Sequence, residues 1–127
     1  MEAVVIVTVL ALIQYMYFGV QVGVIREKTG ARAPASTGPD EFERVNRVHL
    51  NTLEQLVFFL PVLWMYAHYV NPLWGAGLGV VYLVGRVVYR SSYIKDPASR
   101  SMGFMMTLLP SVVMAVWVLV VAILSYV

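Results

Sequence analysis

Cysteine is absent from the 127-residue chain, which excludes disulfides, thiolate metal sites and a cysteine nucleophile. Charge is scarce as well. Only 13% of residues are Asp, Glu, Lys or Arg, 60% are hydrophobic, and the mean hydropathy is +0.75. A soluble domain carries about a quarter charged residues, so a membrane protein is the class this composition allows. Histidine is limited to His49 and His68. Neither has another histidine or a carboxylate cluster beside it to complete a ligand set, and no metal is expected. Basic residues are missing from the N-terminus, from the stretch His68 to Trp74 and from the C-terminus. They gather instead as Arg26, Lys28, Arg32, Arg44 and Arg47, then as Arg86, Arg90, Lys95 and Arg100. The positive-inside rule turns that asymmetry into a topology, with both termini outside and the first and third connections in the cytoplasm. The net charge of +2 is accordingly read as topological, and no nucleic acid is expected as a partner.

What the chain does contain is apolar length. Four stretches stand out: Ala3 to Ile25, Leu56 to Val70, Pro72 to Val88 and Met102 to Val127. Each, with amphipathic extensions, can cross a hydrocarbon core that needs about 20 helical residues. In lipid the backbone must satisfy its own hydrogen bonds, and the alternation of a barrel strand is missing, so the spans are helical. The expected fold is all-α: an integral-membrane four-helix bundle with up-down topology, residues 1–127 forming one domain. The first stretch lacks a basic leader and a small-residue cleavage motif, and is kept as a permanent span. Its membrane is the inner membrane in a bacterium or the endoplasmic reticulum in a eukaryote.

The first helix is expected to end near Arg26. A loop from Glu27 to Pro39, rich in Gly, Pro, Ser and Thr, then separates it from the second. Thr37 or Asp40 can cap the second helix, whose first turn is acidic at Asp40, Glu41 and Glu43. Running to Val70, this helix would be about 45 Å long at 1.5 Å per residue, so its first turns project beyond the bilayer. Pro61 predicts a kink there, and Pro110 a bend in the fourth helix. The short Asn71-Pro72 turn makes helices two and three antiparallel neighbours. Gly75 and Gly79 have the spacing of a helix-packing motif. Asp96 is a plausible N-cap with Pro97 first in the helix, which places Arg100 in the first turn of helix four.

Two polar stripes carry the functional argument. Arg47, Asn51 and Glu54 are spaced by four and three residues on helix two, and Tyr82, Arg86, Tyr89 and Tyr93 by four, three and four on helix three. Each set shares one helix face. An ionisable group at membrane depth costs about 2.5 to 3.5 kcal/mol on insertion scales, so these faces meet protein, water or a polar ligand rather than acyl chains. Antiparallel packing brings the stripes together at one end, with Arg26 and Arg100 contributed by the flanking connections. Guanidinium groups bind carboxylates, Glu54 can accept from an ammonium, and Asn51 and the tyrosine hydroxyls suit amides. A small zwitterionic ligand with several carboxylates matches, and glutathione is one.

Phe42 to Glu54 also resembles the E-R-x-x-R-x-x-x-N-x-x-E signature of the membrane-associated eicosanoid and glutathione metabolism family, MAPEG. Val80 to Tyr93 is similar to that family's third-helix pattern, Y-x-x-x-R-x-x-Y-x-x-x-Y. The resemblance covers essentially the whole chain. It implies a homotrimer in which glutathione, a co-substrate, lies between subunits near the cytoplasmic face, held by Arg47, Asn51, Glu54, Tyr89 and Tyr93, with Arg26 approaching from a neighbour. It implies that Arg100 is the catalytic residue, stabilising the glutathione thiolate. The activity implied is conjugation of glutathione to hydrophobic electrophiles entering from the membrane lipids, with lipid hydroperoxide reduction as a companion peroxidase activity. Glu27 follows Arg26 where leukotriene-forming relatives have a second arginine. Gln55 stands where some relatives have tyrosine, and His49 where glutamine is frequent.

Plainer readings stand beside these. Glu54 with Arg86 could be a structural ion pair. Arg44, His49 and Arg86 are assigned structural or secondary roles, and Tyr89 with Tyr93 could form an interfacial aromatic belt. Two functional rivals remain: a non-catalytic, lipid-presenting trimer of the same family, against which Arg100 argues, and a small four-helix multidrug exporter. The exporter would use one membrane glutamate but would lack Arg47, Asn51 and the tyrosine stripe.

Overall fold

The computed structural model describes all residues, 1–127. It is wholly helical: α1 (Glu2–Thr29), α2 (Asp40–Tyr69), α3 (Pro72–Lys95), one 3₁₀ turn (Pro97–Ser99) and α4 (Ser101–Tyr126). Four helical segments are long and apolar enough to span a membrane. The apolar surplus points outward. Only 29 of 127 residues are buried, while Ile6, Ile13, Met16, Val57, Leu119 and Leu124 are among many large hydrophobic side chains left exposed. A surface of this kind requires lipid or other chains around it.

Helix ends follow local chemistry, and some of it departs from expectation. α1 runs a turn past Arg26, to Thr29, because Gly30 takes the left-handed conformation (φ 79°) and its N–H donates to the Arg26 carbonyl. A glycine at this position ends a helix without Cβ strain. The Thr29 hydroxyl also donates to the Ile25 carbonyl at 2.7 Å. Neither Thr37 nor Asp40 caps α2. Pro39 occupies the cap position without a side-chain bond, and Glu43 instead reaches back to accept from the Gly38 N–H at 3.3 Å. Arg100 sits at the junction of the 3₁₀ turn and α4 rather than within the helix. Asp96 accepts from the Ala98 N–H, and the Ser99 hydroxyl donates to the Asp96 and Ser92 carbonyls, which tightens this corner before the helix starts. α2 and α4 continue through Pro61 and Pro110.

Between α2 and α3 the Asn71 side chain accepts from the N–H groups of Leu73 and Trp74 at 2.9 and 3.1 Å, with Pro72 at the first helical position. Asn71→Ala is expected to cost about 1 kcal/mol, the usual value of an N-cap, read as a lower thermal midpoint in detergent with no change in ligand binding.

Successive helices run antiparallel. Trp64 donates to Thr8, and Arg26 lies over Phe42, at opposite ends of the α1–α2 pair. Phe59 stacks on Tyr82, with ring centroids 3.9 Å apart, in the middle of α2 and α3. The Gly75/Gly79 spacing serves contacts within the chain: a Cβ at 79 would strike Val7 of α1, and one at 75 would press on Tyr66 of α2. The largest core cluster, including Val4, Phe59, Leu63, Tyr82 and Met114, fills one half of the bundle. The other half is packed more thinly, by Phe18, Val48 and Tyr89 and by Val22, Phe42 and Val45. That half holds the polar residues.

Candidate functional site

α2 brings Arg47 and Asn51, α3 brings Tyr89 and Tyr93, and the start of α4 brings Arg100. These side chains, with Ser101, Phe104 and Met105, line one groove of about 590 Å³, a size typical of small-molecule sites, which span roughly 300 to 1,000 Å³. A second groove of about 430 Å³ adjoins it across Arg47 and Tyr93 and is walled by Asp40, Glu43, Arg44 and Asn46. On the other side, Ser101 and Met105 are shared with an almost wholly apolar groove of about 510 Å³ between α3 and α4, lined by Leu78, Val81, Met102, Met106, Leu109 and Val113.

Beneath the polar groove lies Arg86, fully buried. Both of its terminal nitrogens donate to Asn51 Oδ1 at 2.9 Å, and one also donates to Thr52 Oγ1 at 3.4 Å. Its guanidinium carbon sits 4.3 Å from the Tyr89 ring centroid, a cation–π contact that steadies the ring. Tyr89 in turn stacks on Tyr93, with centroids 5.5 Å apart and planes inclined by 22°. The Glu54–Arg86 ion pair, the plainer alternative for these two residues, does not form. Glu54 pairs with Arg47 at 3.4 Å and accepts from Asn51 Nδ2 at 3.4 Å, because Glu54 lies on the exposed side of α2 whereas Asn51 and Thr52 face α3. Within the chain, Glu54 is joined to the lining of the groove through Arg47 and Asn51.

Arg100 is exposed, and the single hydrogen bond of its side chain inside the chain goes to the Pro97 carbonyl at 3.4 Å. A guanidinium has five N–H donors, so most remain available for an anion. Arg26 does not line the groove. It is half-buried on the α1–α2 contact, 4.5 Å from the Phe42 ring centroid, with one terminal nitrogen unpartnered. Arg44 donates to the carbonyls of Ile94 and Lys95 at 3.0 and 3.3 Å, fastening the end of α3 to α2. His49 stacks on Tyr15 of α1 at 4.6 Å between centroids and packs over Gly19. No cluster of three His, Asp or Glu side chains is present.

The sequence reading overlooked several residues at this site. Thr52 shares Arg86 with Asn51, and Phe104 lies against Tyr89 with ring centroids 6.4 Å apart. Gly103 lets the backbone of Tyr89 approach α4. Phe104 stands one turn beyond Arg100, a spacing that could have flagged it. Nothing in the pattern distinguishes Thr52.

Known proteins are similar to this chain in sequence. The chain is 44% identical over 111 residues to an uncharacterized Synechocystis protein, covering 87% of this chain and 81% of that one. It is 39% identical over 102 residues to human microsomal glutathione S-transferase 2, covering 80% and 69%. It is 34% identical over 94 residues to bovine leukotriene C4 synthase, covering 74% and 63%. Residues 4–120 match the MAPEG family along their whole extent, and with four apolar helices around a polar, arginine-rich groove, the chain is an integral membrane protein that belongs to the MAPEG family.

Proposed function

We propose that this protein is a membrane-bound glutathione transferase that joins the glutathione sulfur to hydrophobic electrophiles. The observation that carries the reading is the convergence of Arg47, Asn51, Tyr89, Tyr93 and Arg100, from three separate helical segments, on one groove. Its cationic, aromatic lining suits a carboxylate-rich peptide. The relatives named transferase and synthase support the same chemistry. Arg47, Asn51, Glu54, Tyr89 and Tyr93 hold the peptide, and the free donors of Arg100 face the sulfur. A cation there favours thiolate over thiol and so raises the fraction of nucleophile. The thiolate attacks the electrophilic carbon, a C–S bond forms, and the leaving group departs with the electron pair of its old bond. The apolar groove beside Ser101 and Met105 offers the electrophile a route from the bilayer. With a lipid hydroperoxide, the same thiolate would attack the terminal oxygen, forming an S–O bond as the O–O bond breaks and the alkoxide leaves to be protonated to the alcohol; the thiol of a second glutathione would then displace the sulfenic acid oxygen as water and complete the disulfide.

The working unit in this reading is a homotrimer with the peptide between subunits and its groove facing the cytoplasm. Arg26, which does not line the groove of its own chain, is then assigned to that of a neighbour. Cross-linking in detergent tests the assembly. Titration of the purified protein with glutathione, followed by thiolate ultraviolet absorbance, tests the chemistry. A saturable signal is expected, and its absence would remove the transferase reading. Glu54→Gln is expected to weaken glutathione binding by about 1.5 kcal/mol, the lower end for a hydrogen bond to a charged group, since Glu54 is open to water. Calorimetric affinity unaltered by that change would assign Glu54 to the Arg47 pair alone.

A further inference from the structure

We infer that Arg86, which the groove never exposes, is a positioning residue that dictates what Asn51 can recognise. The inference rests on the transferase reading above and extends it to the side-chain amide. A guanidinium can only donate, so the two bonds of 2.9 Å from Arg86 must end on the carbonyl oxygen of the amide and cannot end on its nitrogen. An asparagine gripped in that way cannot rotate. Its NH₂ group is turned from α3 towards Glu54, which it meets at 3.4 Å, and towards the groove that Asn51 lines. Asn51 thus presents donors only, and the ligand group opposite it is an acceptor: a carboxylate or a peptide carbonyl.

The grip is firm on both sides. Arg86 is fully buried, Thr52 accepts from the same terminal nitrogen at 3.4 Å, and the Tyr89 ring lies against the guanidinium carbon at 4.3 Å. A lysine in its place would offer a point charge without the planar fork, leaving the amide free to turn over. One buried arginine therefore sets the polarity of Asn51 on α2 and supports the ring of Tyr89 on α3, two groups that line the groove together.

Two substitutions test this in the full-length protein, each read by thermal midpoint, calorimetric glutathione affinity and steady-state kinetics with 1-chloro-2,4-dinitrobenzene. Arg86→Lys is expected to raise KM for glutathione about tenfold, with kcat at saturating glutathione little changed. Asn51→Asp keeps the shape and still satisfies Arg86, but turns the groove-facing donor into an acceptor. It is expected to fold, with a midpoint lowered by the second carboxylate it sets 3.4 Å from Glu54, while losing about ten- to a hundredfold in glutathione affinity, the range for a hydrogen bond to a charged acceptor. A stable Asn51→Asp protein with wild-type affinity overturns the inference. So does an Arg86→Lys protein with a lowered midpoint and unchanged affinity, the behaviour of a merely structural arginine. If Asn51→Asp does not fold, Arg86→Lys decides. Failure of the wild-type protein itself to bind glutathione removes the transferase reading, and the inference with it, before either variant is made.

Discussion

With Arg100 replaced by alanine, kcat for conjugation of glutathione to 1-chloro-2,4-dinitrobenzene is expected to fall about 10²- to 10³-fold, the cost of removing one preorganised donor from a developing or resident anion. The fold should survive. Arg100 is exposed and the one intrachain bond of its side chain, to Pro97, is long, so neither helix content nor thermal midpoint is expected to change. The pH dependence gives the sharper reading. A nearby cation favours the ionised sulfur and lowers its pKa. Without the cation the sulfhydryl returns towards the free-thiol value of about 8.5, the pH–rate profile moves to higher pH, and alkaline buffer restores part of the lost rate. A uniform loss at every pH would point to misplacement of the peptide instead, and turnover equal to wild type would take Arg100 out of the mechanism.

The second large effect belongs to a residue with no side chain. Gly103 faces Tyr89 so closely that a Cβ there would come within 2.9 Å of the Tyr89 Cβ and closer still to its backbone. A flexible side chain could move aside, but a helix backbone cannot. Gly103→Ala is therefore expected to force α3 from α4 and cost about 3 kcal/mol, the upper end for overpacking. Tyr89 lines the groove and Arg100 precedes Gly103 by less than a turn, so glutathione binding should fall along with the thermal midpoint. Gly77→Ala supplies the control. Nothing lies within 4 Å of a Cβ at Gly77, and replacing an exposed helical glycine with alanine is neutral or mildly stabilising. Equal midpoints for the two variants would show that the α3–α4 contact tolerates separation.

Much of the site was legible in the sequence because helical spacing is a strong constraint. Steps of three and four residues put Arg47 with Asn51 and Tyr89 with Tyr93, and one short turn at Asn71 was enough to bring the two stripes to the same end. Spacing fixes the face of a helix but not how that face is rotated against its neighbour. For that reason spacing leaves Glu54 open as an alternative partner for Arg86, whereas the rotation of α2 offers Arg86 the side chains of Asn51 and Thr52 and leaves Glu54 to Arg47. The ends of the elements depended on competition between local groups. Gly30 extended α1 to Thr29, and Pro39 with Glu43 displaced Thr37 and Asp40 as the cap of α2. Arg26 was legible as a cation near this end of the bundle. Its seat over Phe42 was not, because an aromatic in a polar run carries no sign of which cation will cover it.

Ser101 and Met105 belong to both the polar groove and the apolar one beside it, so a single turn of α4 borders two phases. Under the transferase reading, one reactant arrives dissolved in water and the other dissolved in lipid. The kinetic variable for the second is then its mole fraction in the bilayer or micelle. Adding inert detergent at fixed total electrophile should slow the reaction by surface dilution, and ranking acceptors by their partition coefficients should matter as much as ranking them by intrinsic reactivity.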